Sequence, residues 1–235
     1  NLDLNLIEAY KLQNMLNNRL MTEGLGKPSG YKIGCTTKIM QDYLKIKHPC
    51  SGVIFSNNIH LNKLNIKYNK NIKLGIECEL AVKISKDIKN LNLLNDDQIF
   101  DCIESFHTSI EVVEDRFVNY KNTPTSFLIA DNFFNHSLIL GKPLIKWQNI
   151  DIGDLVGTLY INNKEFHTAK TSMILNNPIN ALKWLVKHLL STNQYLKKDT
   201  FVSLGSIIKT IWIETKNVQY NFKLSKLGNC KVNFY

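Results

Sequence analysis

The chain has 235 residues, 44% apolar and 21% charged, enough for one substantial core and free of the biased or repeated tracts that mark disorder or a solenoid. Its formal charge of +9 raises nucleic acid and anionic membranes as partners. The cations are dispersed lysines, however, and only Arg19 and Arg116 are arginines, so nucleic-acid readout is set aside and a basic field for a small anionic substrate is kept.

In chain order, residues 3–21 carry apolar positions at helical spacing, with Leu6, Ile7, Tyr10 and Leu20 expected on the buried side. The following EGLGKPSG reads as loop, because its glycines and proline disfavour regular structure. YKIGCTT then reads as a short strand ending at a turn, and the basic stretch Lys63 to Lys73 as a solvated strand or loop. A helix is expected over 96–107, where Ile99, Cys102, Ile103 and Phe106 fall three and four apart behind Asn95 or Asp96 as N-cap. The clearest helix runs over 178–192, with Asn177 as N-cap, Pro178 at its first position, and Ile179, Leu182, Leu185, Val186 and Leu189 on one stripe.

Strands are expected at 52–55, 75–84, 109–114, 155–162, 200–204, 207–214, 217–224 and 230–234, from their β-branched and aromatic residues. Helices and strands do not alternate regularly, which indicates an α+β fold. An N-terminal region over 1–73, helical with small strands, is expected to pack on a β-rich core over 74–235 as one compact unit. No apolar run reaches the roughly 18 residues of a membrane span. Five cysteines, odd in number and without C-x-x-C spacing, argue against a disulfide framework or structural zinc and for a reducing compartment, the cytoplasm. The start lacks the shape of a secretion signal, and the opening Asn1 leaves room for sequence ahead of it.

The chemistry concentrates in LGIECELAV, residues 74–82. On a strand, Glu77 and Glu79 emerge on one face while Ile76, Cys78 and Leu80 share the other. TSIEVVEDRF supplies a third carboxylate, Glu111, with Glu114 and Asp115 close behind. The pattern fits either a solvated acidic face or a site for a hard cation such as Mg²⁺, Mn²⁺ or Ca²⁺.

GYKIGCTT, IECELAV, IEVVEDRF, IADN, NPINALKWL and LGNCKVNF, in that order and spacing, resemble the fumarylacetoacetate hydrolase superfamily over nearly the whole chain. The resemblance is closest to its 2-keto-4-pentenoate (2-hydroxypentadienoate) hydratase and 4-oxalocrotonate decarboxylase branch. It implies a mixed, twisted β-sandwich or roll core with flanking helices, a homo-oligomer, and Mg²⁺ or Mn²⁺ held by Glu77, Glu79 and Glu111. It further implies Lys32 as the catalytic lysine and Asp131, Asn132 and Ser203 as substrate-pocket residues. A 2-oxo acid chelated by such a cation forms an enolate that either hydration or decarboxylation can use.

Several positions depart from that pattern. HPCSG puts Cys50 where the hydratases commonly have an acidic residue, and a thiol does not inherit a carboxylate's role, which moves weight toward decarboxylation. Asn57 likewise stands where an Asp often follows. Phe133 and Phe134 follow ADN where small residues are usual; they either reshape the pocket or pack into the core. Asn177 replaces a common His, and VSLGS has Leu204 in a glycine's place. The expected activity is a hydro-lyase acting on a 2-hydroxy-2,4-dienoate or 2-oxo-4-enoate, with a decarboxylase and a non-catalytic paralogue as alternatives. A C–C hydrolase is disfavoured by Glu111 and by the lack of an evident His–Glu base pair among His48, His60, His107, His136, His167 and His188.

Overall fold

The computed structural model describes residues 4–90, 92 and 95–235. Helix α1 (Leu6–Leu20) starts at a capping box in which Asn5 Oδ1 accepts the Glu8 N–H and the Glu8 carboxylate accepts the Asn5 N–H. Asp3 lies outside the described residues. The inner face of α1 is Ala9, Gln13 and Asn17, not the expected apolar set: Leu6 and Ile7 are exposed, and Tyr10 and Leu20 are half-buried. Hydrogen bonding decides that rotation, since the Gln13 amide donates to the carbonyls of Ser51 and Ile129 at 2.8 Å each.

Strand β1 (Pro28–Gly34) begins inside the segment expected as loop, with its proline at the first strand position where no ladder donor is needed. Next come α2 (Lys38–Tyr43), β2 (Cys50–Phe55), β3 (Ile59–Leu61), β4 (Lys63–Ile66) and β5 (Lys73–Ile84). The helix expected over 96–107 stops early, as α3 (Asp96–Phe100), and the chain enters β6 (Ile103–Asp115). Spacings of three and four among Ile99, Cys102, Ile103 and Phe106 fit a helix face, but the ladder with β5, Val82 opposite Phe106 and Lys83 opposite Ser105, overrides them.

The rest is α4 (Thr125–Ala130), β7 (Asn135–Leu140), β8 (Val156–Ile161), β9 (Lys164–Lys170), α5 (Pro178–Ser191), β10 (Phe201–Ser206), β11 (Ile211–Trp212), β12 (Val218–Leu224) and β13 (Gly228–Phe234). Helix α5 forms as expected, with Asn177 Oδ1 accepting the Ile179 N–H. The strand expected over 207–214 shrinks to the two residues of β11, because the register breaks between Ser203 and Ser206, where Gly205 takes φ +116°.

Eight strands form one mixed sheet in the order β2-β1-β10-β5-β6-β7-β3, with β11 added on β5; five form a second in the order β4-β13-β12-β8-β9. Residues from both sides of position 73 share each sheet. The inner face of β5 (Ile76, Cys78, Leu80, Val82, Ile84) and Ile110 and Val112 of β6 join Phe222, Val232 and Phe234 of the smaller sheet and the stripe of α5 in the main core. The large sheet curls, so that β2 near one edge also meets β7 near the other. Its concave face carries Lys32, Glu77, Glu79, Glu111 and Ser203. No helix of the described residues is long and apolar enough to cross a membrane.

Candidate metal centre

The antiparallel register sets Glu77 of β5 opposite Glu111 of β6, so the two side chains share a face, and Glu79 follows two residues along. One carboxylate oxygen from each lies within 4.8 Å of the others. Glu79 and Glu111 are fully buried, and Glu77 alone is half-buried. Lys32 of β1, also buried, brings its ammonium to 3.1 Å from Glu111 Oε2. The acidic face of β5 is therefore withdrawn from bulk water except at Glu77.

Donors from distant segments hold each carboxylate. Ser203 Oγ and, at 3.1 Å, the Gly205 N–H donate to Glu79 Oε2; Thr210 Oγ1 donates to Glu77 Oε1; Asn135 Nδ2 donates to Glu111 Oε1 at 3.0 Å. Two oxygens are left over: among the described residues Glu79 Oε1 and Glu111 Oε2 are buried without a hydrogen-bond partner. Lys32 is near enough to Glu111 Oε2 for an ion pair, but the angle falls outside hydrogen-bonding geometry.

The electrostatics record the same crowding. Burial above all, then the charges of Glu111 and Glu77, pushes the Glu79 carboxyl well above its ordinary range, and burial raises Glu111 to about 7 against the pull of Lys32. Burial lowers the Lys32 ammonium, yet Glu111, Glu77 and Glu79 outweigh it and hold that proton more firmly than usual. Three carboxylates face one ammonium in a water-poor site. A divalent cation fits: the donors are hard oxygens, two of them accept no hydrogen bond among the described residues, and its two charges balance the excess.

The other expected residues are dispersed around this centre. Ser203 touches it through Glu79. Asn132 is spent on backbone, accepting from Val53 N–H at 2.7 Å and donating to Val53 O at 2.8 Å, and Asp131 pairs with Arg116 at 2.7 Å. Both line a neighbouring cleft of about 320 Å³ together with Asn135. Cys50 lies opposite Gly34 on the Lys32 side, where the hydrogen bond to Cys35 and burial push its thiol well above its ordinary pKa. Phe133 takes the core reading, packing with Cys35, Cys50 and Leu128, and its ring centroid also sits 5.1 Å from Lys32 Nζ. Thr210 and Asn135 gave no local sequence signal; only the folded ladder carries them to the glutamates.

The fumarylacetoacetate (FAA) hydrolase C-terminal family model matches residues 43–223, most of the chain and all three glutamates. The chain belongs to this family. It is 25% identical over 214 residues to the 2-oxo-hept-4-ene-1,7-dioate hydratase of Escherichia coli, covering 89% of this chain and 79% of that one. It is 22% identical over 231 residues to a 2-keto-4-pentenoate hydratase of Paraburkholderia phymatum, covering 96% and 85%. These relatives are hydro-lyases. The 4-oxalocrotonate decarboxylase from Pseudomonas putida G7, complexed with magnesium and adipate, superposes with a TM-score of 0.90 over 98% of this chain and 86% of that one, at 18% identity. Fumarylpyruvate hydrolase from Pseudomonas aeruginosa, in complex with Mn²⁺ and pyruvate, gives 0.64 over 88% of each chain at 12% identity. The fold expectation holds: two mixed sheets with flanking helices, of the family type.

Proposed function

We propose that the chain is a divalent-metal-dependent hydro-lyase that adds water to a 2-hydroxy-2,4-dienoate or its 2-oxo-4-enoate tautomer, using Mg²⁺ or Mn²⁺. The observation that carries this reading is the convergence of Glu77, Glu79 and Glu111 on one point, with Glu79 Oε1 buried and unpartnered among the described residues and Glu111 Oε2 met only by the Lys32 ammonium. The names of its hydratase relatives support it. When bound, the cation supplies positive charge against the enolate oxygen of a 2-oxo acid.

The chain's own side chains do the rest. Lys32 Nζ is kept protonated by its carboxylate neighbours and can donate to the substrate's 2-oxygen as negative charge develops there. Ser203, Thr210 and Asn135 fix the three carboxylates before substrate arrives. Burial excludes water from all but the Glu77 side. Asp131 and Asn132 contribute through the turn they hold beside Phe133. The five free, buried cysteines favour the cytoplasm, and the exposed Ile7, Met15 and Ile39 of α1 and α2 favour self-association into a homo-oligomer.

A second reading is decarboxylation of an oxalocrotonate-type acid through the same enolate. Cys50 favours it, since a buried thiol with a raised pKa is poorly suited to activate water. One experiment separates the readings: incubate with Mg²⁺ or Mn²⁺ and 2-hydroxypenta-2,4-dienoate, following the ultraviolet band of the diene, and in parallel measure CO₂ from 4-oxalocrotonate. Loss of the band without CO₂ from either substrate is expected. CO₂ release selects the decarboxylase, and inertness of a folded protein toward both selects a non-catalytic paralogue.

A further inference from the structure

A cavity of about 390 Å³ lies between α1, α5 and the β1–β2 pair, on the side of those strands away from the carboxylate centre. Strand alternation separates the two sites: Tyr31 and its register partner Val53 line the cavity, whereas Lys32, the next residue, faces Glu111. Asn17 lines the cavity from the inner face of α1 and is only 5% exposed, and among the described residues neither its Nδ2 nor its Oδ1 has a hydrogen-bond partner. The polar groups beside it on that face are turned elsewhere. Gln13 Nε2 donates to the carbonyls of Ser51 and Ile129, and Tyr10 Oη accepts the Ser51 N–H at 3.2 Å. A buried amide with neither bond made destabilises the fold, and a ligand that completes both offsets that cost.

The lining decides which ligand that is. Asn17 has a hydrogen bond to give from Nδ2 and one to take at Oδ1; a carboxylate brings no donor and an ammonium no acceptor, whereas a carboxamide or lactam edge meets both at once. No aspartate or glutamate among the described residues lines the cavity, and burial keeps its histidine, His188, uncharged at neutral pH, so a cation finds no counter-charge. The exposed Lys197 also lines it, but an anion drawn to that ammonium still leaves Asn17 Oδ1 without a donor. Flat faces are at hand in Tyr10, 4.3 Å from the His188 ring, and in Tyr31 and Tyr195. The volume falls near the lower end of the roughly 300–1,000 Å³ of small-molecule sites, which suits a compound of one ring.

We infer that this cavity is a second ligand site, separate from the carboxylate centre, which takes a small neutral ring compound through a carboxamide or lactam edge paired with the Asn17 side chain. It goes beyond the proposed function and uses none of the observations behind it, so either can fail without the other.

The test is titration calorimetry with nicotinamide and uracil, which carry such edges, and with nicotinate, which keeps the nicotinamide ring but exchanges its amide for a carboxylate. One molecule of nicotinamide or uracil is expected per chain, bound at least about tenfold more tightly than nicotinate. Asn17→Leu, close in size, should weaken that binding at least about tenfold and raise the Tm of the ligand-free protein, because the orphaned amide is gone. A crystal of the native protein soaked in the tighter probe gives a check that needs no variant, with the amide edge expected on Asn17. Binding of neither amide probe, equal binding of nicotinate, unchanged binding by Asn17→Leu, or a soaked crystal with only water on Asn17 overturns the inference.

Discussion

Glu79 divides its two buried oxygens between tasks. Oε2 is fixed by Ser203 and the Gly205 amide, and Oε1 has no partner among the described residues, which leaves it for a cation. Glu79→Gln keeps the size and the Ser203 contact but removes the charge. Its metal affinity and its metal-dependent kcat/KM should each fall by about a hundredfold or more, as read by Mn²⁺ titration and by diene consumption. Unchanged values would mean that the three glutamates are not the ligands. These residues were legible in the sequence because strand alternation is strictly local: Glu77 and Glu79 must share a face once β5 is a strand. Lys32 became legible only through the resemblance, since nothing near it distinguishes a buried lysine from a surface one.

At the scale of elements, the turn between α4 and β7 is held in a costly backbone conformation. Asn132, Phe133 and Phe134 take φ of +64°, +48° and +63°, where non-glycine residues are rare. The Asn132 amide clamps this turn to Val53 of β2, so Asn132→Ala should cost about 2–3 kcal/mol by urea denaturation, leaving a buried N–H and C=O unpaired. Loss of only a few tenths would show that the clamp is incidental. Bulky residues give no sequence cue for a left-handed turn, which is why Phe133 and Phe134 stayed ambiguous. The 96–107 segment misled for a different reason, because Ile103 and Phe106 satisfy both helical and strand patterns and only the distant partner β5 decides.

Helix α5 adds a pH-sensitive contact. His188 is stacked on Trp184 at 5.3 Å and lies 4.3 Å from the Tyr10 ring of α1; burial, helped by His48, lowers its pKa from 6.5 to about 4. A histidine with a depressed folded-state pKa stabilises the fold above its unfolded value and loses that contribution as pH falls from about 6.5 through about 4. The loss should be on the order of 2 kcal/mol, and His188→Gln should flatten the acid limb of a Tm-against-pH curve by that amount. A native-like acid limb in the variant would rule this out.

For the whole molecule, the charge of +9 surrounds the site proposed to take an anionic substrate. Raising KCl from about 10 to about 200 mM should lower kcat/KM about two- to threefold while leaving kcat nearly constant, because screening acts on encounter and not on the bound state. A fall in kcat of equal size would place the salt effect in the chemical step. The strand composition and α5 were readable from sequence, whereas the closure of the large sheet depends on pairings such as β1 with β10, 171 positions apart from Gly30 to Phe201, which no local pattern encodes.

The excess negative charge sits inside that curled sheet, on its two longest strands, β5 and β6. An ion placed there would act as a structural pin as well as a reagent. Cells starved of divalent ions would then hold fewer intact copies of the chain, because the loosened hairpin would be open to proteases, and scarcity of the ion would be felt as scarcity of the protein.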